Sequence, residues 1–141
     1  MIRLSAASAR TVVAVIWTVF FLGNLAVALS LHLNHAIEDD NFEALTTQLN
    51  SSYVTYLAAI LGFYVIAHDA KPKKALNSGS FAVAVVASLL WNGLLSAFVW
   101  PLAFGHGTVE DAVKYIGQFA PLFSWIVAPV FTVFFVKNTT E

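Results

Sequence analysis

The sequence contains no cysteine, which excludes disulfides, thiol nucleophiles and cysteine-ligated metals. Charge is nearly as scarce: Asp, Glu, Lys and Arg make up 11% of the 141 residues, against 59% hydrophobic residues. A soluble domain of this length needs a charged surface, and these residues cannot furnish one. A formal net charge of −1 removes bulk positive charge as a means of holding nucleic acid. There is no Ser/His/Asp set, no glycine-rich phosphate loop and no carboxylate pair within an apolar run. No enzyme activity and no cofactor is therefore expected. The missing intramembrane acid also counts against a proton-coupled exporter. Polar and apolar residues do not alternate with period two, which argues against a membrane β-barrel.

What the chain has in abundance is uninterrupted apolar sequence. Four stretches, Thr11–Leu31, Ser51–Ala67, Ser80–Trp100 and Tyr115–Val136, hold no Asp, Glu, Lys, Arg or His. The third, 21 residues long, would make about 31 Å of helix, the thickness of a bilayer's hydrocarbon core. Soluble core helices rarely stay apolar on every face for so long. The expected fold is all-α and integral to the membrane: residues 1–141 form one domain of four transmembrane helices. Arg3 ahead of an apolar run resembles a signal peptide, but Thr11–Leu31 is too long for a signal core and is expected to be a retained first span.

The loops set an orientation. Arg3 and Arg10 precede the first span, Lys71, Lys73 and Lys74 lie between the second and third, and Lys137 follows the fourth. The other two loops carry Lys114 against Glu38, Asp39, Asp40, Glu43, Glu110 and Asp111. Lys and Arg stay inside, so both termini are expected in the cytoplasm. In the first outer loop Asp40 and Glu43 have capping-box spacing, with Phe42, Leu45 and Leu49 near one face beyond them. This predicts a short helix lying on the outer membrane surface. In the second outer loop Gly105 and Gly107 break the third helix, and Thr108 with Asp111 caps the next. Pro121 and Pro129 fall inside the fourth stretch, where they either kink a span or end a surface helix.

Polar residues inside the spans are the candidate functional positions. Counted from the inner edges of their stretches, Asn24, Thr55, Asn92 and Ser124 fall at one depth, roughly 18–20 Å up. Either they bond to one another and lock the bundle, or they line a hydrated constriction between assembled chains. Ala84, Ser88, Asn92 and Ser96 recur every four residues on the third span. Ser51, Thr55, Ala58 and Gly62 form a small-residue face on the second, as do Gly117, Pro121, Ser124, Ala128 and Thr132 on the fourth. Small faces allow close helix approach within a chain or between chains.

Trp100, Tyr53, Tyr56 and Tyr115 sit near the expected outer interface, while Trp17, Trp91 and Trp125 lie deeper as packing anchors or gates. His32 and His35 with Glu38 and Asp39 could ligate a divalent metal only if the first helix ran through Asp39, and no firm third ligand is apparent. Lys71, Lys73 and Lys74 are the densest charge in the chain. They touch anionic lipid or, in an oligomer, form a basic inner mouth for a cytosolic protein or anionic ligand.

Short length, four spans with both ends inside, an acidic outer loop leading into Ser51-Ser52-Tyr53, a lysine-bearing inner loop and a polar tail Lys137–Glu141 form a recognisable layout. It resembles the small four-span membrane proteins of phage exclusion and bacterial antiphage defence, the RexB-like proteins and the membrane subunits of Kiwa- and Hailong-type systems. That resemblance implies a homo-oligomer of the bacterial inner membrane that perturbs the membrane or senses infection there. Together the readings point to a homo-oligomeric pore or membrane-depolarising effector controlled by a cytosolic partner or signal. The alternative is a non-conducting membrane subunit that recruits such a partner.

Overall fold

The computed structural model describes the backbone of residues 6–67 and 78–135, with side chains over 8–62 and 79–134. Lys71, Lys73, Lys74 and the polar tail lie outside these residues. Four α-helices account for nearly everything described: α1 (Ala6–Leu33), α2 (Asp39–Ala67), α3 (Ser78–Val99) and α4 (Val109–Phe135). A 3₁₀ turn, Trp100–Phe104, extends α3, and no strand occurs among the described residues.

The helix ends follow from local chemistry. Past Leu33 the chain closes α1 with two reversed bonds, from the Ala36 N–H to the Leu31 carbonyl (2.9 Å) and from the His35 N–H to the His32 carbonyl (3.0 Å). This is a Schellman motif, and its left-handed position is held by His35 at φ 55° where glycine is usual. At the second turn glycine does supply the positive φ: Gly105 at 74° ends the 3₁₀ turn, and Gly107 follows at 82°. The cap expected on α4 is present. Thr108 Oγ1 accepts from the Asp111 backbone N–H at 3.1 Å and donates to the Asp111 carboxylate at 2.9 Å.

One expectation is corrected. The predicted surface helix of the first outer loop is not a separate element but the opening turns of α2, which runs unbroken from Asp39. No glycine or proline interrupts the chain between Asp39 and Gly62. Moreover, Leu45 and Leu49 are in phase with Tyr53, Tyr56 and Ile60, all buried on one stripe against the bundle. The Ser51 and Ser52 hydroxyls both fold back onto the Gln48 carbonyl at 2.9 Å, so even this polar joint stays helical. Pro121 and Pro129 both lie within the single helix α4, so no helix ends at Pro121.

The helices pack as a four-cornered bundle. Corner α1 touches α2 and α3, and α4 touches the same two, so α2 and α3, consecutive in the chain, stand diagonally opposed. The bonds Trp17–Ser88 and Asn24–Ser96 keep a nearly constant offset, which makes α1 and α3 parallel neighbours. Three stretches, Ser8–Leu33, Gly79–Phe104 and Val109–Phe134, are long and apolar enough to cross a membrane. Their outward faces agree: Val15, Val19 and Leu22 on α1, Val86 and Leu90 on α3, and Leu122 and Trp125 on α4 are exposed. The first half of α2, carrying Asp39, Asp40, Glu43, Gln48 and Asn50, is too polar to belong to such a stretch.

Candidate functional site

The interior is built around Trp17, a fully buried side chain near the middle of α1. Its indole meets one or more rings from each of the other helices. Tyr56 of α2 lies 4.8 Å away centroid to centroid, Tyr53 5.9 Å, Trp91 of α3 6.1 Å and Phe131 of α4 5.1 Å. Tyr53 and Phe131 present edges at 78°, and Trp91 stacks at 23°. Such contacts are worth about 0.5–1.5 kcal/mol each beyond area burial. Trp17 and Trp91 are therefore anchors within the protomer. Trp125, 71% exposed, faces away from it.

Polar groups thread this aromatic cluster. The Trp17 indole donates to Ser88 Oγ at 3.0 Å, and Ser88 Oγ donates in turn to the Ala84 carbonyl at 2.7 Å. Nearer the C-terminal end of α1, Asn24 is the centre of a second network. Ser96 Oγ donates to Asn24 Oδ1 at 3.1 Å, and Asn24 Nδ2 donates to the Tyr53 hydroxyl at 3.0 Å. One buried amide thereby joins α1, α2 and α3. Asn92 is fully buried as well, and its Nδ2 donates to the Ser88 carbonyl at 2.7 Å.

The structure brings together some of the residues grouped from sequence and separates others. Ala84, Ser88, Asn92 and Ser96 share one face as expected, and that face is turned into the bundle. Asn24 pairs with Ser96 instead of lying level with Asn92. Asn24 and Ser96 each lie 18 residues beyond the first residue of their helix. The edges of the apolar stretches, from which depth was counted, do not coincide with the helix starts. Thr55 lies on the exposed side of α2 and takes no part in the layer. Ser124 is half-buried, with its hydroxyl donating to the Pro121 carbonyl at 2.8 Å and its own carbonyl reached by the Tyr56 hydroxyl at 3.5 Å. The role of Tyr53 as a hydrogen-bond partner was missed from sequence, because a tyrosine near an interface reads as an aromatic anchor.

The two remaining small faces flank the seam between α2 and α4. A Cβ placed on Gly117 of α4 would stand 3.6 Å from the Gln48 side-chain amide of α2, which fixes the seam between these helices. Helical spacing sets Ser51, Thr55, Ala58 and Gly62 in the row of Gln48, and Pro121, Ser124, Ala128 and Thr132 in the row of Gly117. Ser51, Thr55, Ala58, Pro121, Ala128 and Thr132 are exposed, and Gly62 and Gly117 half-buried. Small and hydroxyl side chains are thus exposed along the outer side of α2 and α4.

At the turn between α1 and α2 the metal geometry considered from sequence lacks its premise, because α1 ends at Leu33. His32 stacks on Phe42 at 4.4 Å, with Nδ1 3.7 Å from an Asp39 carboxylate oxygen. Among the described residues no group of three or more His, Asp or Glu could hold a metal ion. No protein-family model, curated protein or solved structure matches the chain.

Proposed function

We propose that the chain crosses the bacterial inner membrane four times with both ends cytoplasmic, and that copies assemble into a pore or membrane-depolarising effector. The observation that carries this reading is the division of polar residues between two places. Asn24, Ser88 and Ser96 are bonded within one chain, so they offer no free polar wall. The outward side of α2 keeps Ser51 and Thr55 exposed on the least hydrophobic of the four helices. A conducting path would therefore run between copies, with α2 nearest the axis and Thr55 among its linings. Oligomer formation also explains how a helix with so polar a first half is kept in the membrane. The defence setting, with a cytosolic partner or signal reaching the lysine loop, rests on the likeness of layout to phage-exclusion and antiphage membrane proteins.

Recordings from purified protein in planar bilayers test the proposal. The unaltered chain should pass current, and Thr55→Leu should reduce it sharply while native mass spectrometry shows the same oligomer. A protein that assembles and passes no current favours the second reading, a non-conducting subunit that recruits a cytosolic partner. That reading draws on the aromatic cluster, which spans all four helices and makes each protomer a closed packing unit.

A further inference from the structure

Among the residues that are themselves buried, the polar side chains are satisfied with one local exception. Trp17, Asn24, Tyr53, Ser52, Ser88 and Ser96 all hydrogen-bond within the chain. On two consecutive residues of α3 the pattern fails. The Trp91 indole N–H and the Asn92 carbonyl oxygen have no hydrogen-bond partner among the described residues, although Trp91 is 2% exposed and Asn92 0%. One group can only donate and the other can only accept. They leave α3 about 1.5 Å apart along its axis and about 100° apart around it, and both are buried in the bundle. Asn92 cannot turn its amide to escape, because Nδ2 is held by the Ser88 carbonyl at 2.7 Å and reversal would set two oxygens against each other.

We propose that Trp91 and Asn92 form an interior hydration site, in which enclosed water accepts from the Trp91 indole N–H and donates to Asn92 Oδ1. The occupant has to donate and accept at once, since the two bare groups are of opposite kind. It is neutral, because the buried polar residues among those described (Asn24, Ser52, Ser88, Asn92, Ser96) carry no charge to balance an ion. It is small, because both residues that hold it are enclosed. Water meets all three conditions, and buried waters characteristically serve polar groups that the protein itself leaves unpaired. The site belongs to each protomer and is independent of how copies assemble. A dry arrangement is the competing one. Tyr56 lies 5.2 Å from Trp91 at 62°, edge-on, so the indole N–H could rest on its ring. That contact would serve Trp91 alone and leave the Asn92 oxygen bare.

Solid-state NMR of the full-length protein in lipid bilayers, with isotope-labelled tryptophan, separates the two. The four indole signals are assigned by single Trp→Phe variants, and water-to-indole magnetisation transfer and exchange into heavy water are recorded for each. Trp91 should take up water magnetisation several-fold faster than Trp17, whose N–H is held by Ser88. Asn92→Leu should bring Trp91 down to the Trp17 level with Trp17 unchanged. Equally slow transfer at Trp17 and Trp91 in the unaltered protein overturns the proposal. Transfer to Trp91 that survives Asn92→Leu in full also overturns it, since water would not then join the two residues. The comparison of the two tryptophans in the unaltered protein decides by itself if Asn92→Leu fails to assemble.

Discussion

Replacing Trp17 by alanine gives the sharpest test of the packing described above. The change removes a fully buried indole that contacts Tyr53, Tyr56, Trp91 and Phe131 and donates to Ser88. Four ring contacts at about 0.5–1.5 kcal/mol each give about 2–6 kcal/mol before the bundle relaxes. The lost interhelical hydrogen bond adds about 0.6 kcal/mol. Part of this returns as neighbours move into the space, so the expected cost is about 3–5 kcal/mol, the usual range for a buried aromatic cut to alanine. Reversible unfolding in mixed micelles, titrated with a denaturing detergent, reads that loss. Two variants calibrate it. Trp17→Phe keeps a ring but no donor and should cost far less than Trp17→Ala. Trp125→Ala, at a site 71% exposed, should cost about 1 kcal/mol or less. Equal and small losses for Trp17→Ala and Trp125→Ala would refute the view that Trp17 ties the four helices together.

Other substitutions probe the remaining features one at a time. Asn24→Leu strips partners from Ser96 and Tyr53 together and should destabilise the protomer by about 1–3 kcal/mol in the same unfolding assay. Ala84→Leu adds bulk at a fully buried site and should cost about 1–3 kcal/mol of protomer stability. Ala58→Leu, on the exposed side of α2, should leave that stability nearly unchanged and, on the proposed assembly, shift native mass spectra toward smaller species. His35→Gly relieves a left-handed backbone on a β-carbon-bearing residue and should stabilise the chain by about 1 kcal/mol, seen as a higher melting temperature in detergent. Alkaline phosphatase should be active when inserted near Asn34 and inactive when fused after Glu141. The reverse pattern would overturn the proposed orientation.

The helices were legible in the sequence because their signal is coarse. Long runs without charge survive errors of several residues at either end, and the breakers Gly105 and Gly107 act through backbone angles that few other residues adopt. Register was less legible, for the same reason. Depth counted from the edge of an apolar run carries the uncertainty of that edge, and a shift of four residues moves a side chain by one turn, about 6 Å. That is enough to pair Asn24 with Ser96 rather than place it level with Asn92. The junction at Asn50 and Ser51 misled for a different reason. Polar residues there read as a change of environment, whereas the apolar stripe from Leu45 to Ile60 passes through them without losing phase. Hydrophobic phase, not mean polarity, decided where α2 begins.

The direction in which each polar face points then determines which faces remain available for assembly. A stripe such as Ala84, Ser88, Asn92 and Ser96 looks equally suited to bind a neighbour inside the chain or in another copy, because close approach needs only small side chains. The interior of the protomer claims it through Trp17 and Asn24, whose hydrogen-bonding groups need the Ser88 and Ser96 hydroxyls at the same depth. Once α3 is committed, the small rows of α2 and α4 are the ones left outward, and they lie on adjacent corners of the bundle. Hydroxyls on such a surface gain little from lipid and more from a second helix or a column of water. Thr55 and Asn92 therefore test different things, although depth counting had put them in one layer. A change at Asn92 reports on the interior of a single chain, and a change at Thr55 reports on the outward face through which the proposed assembly would act.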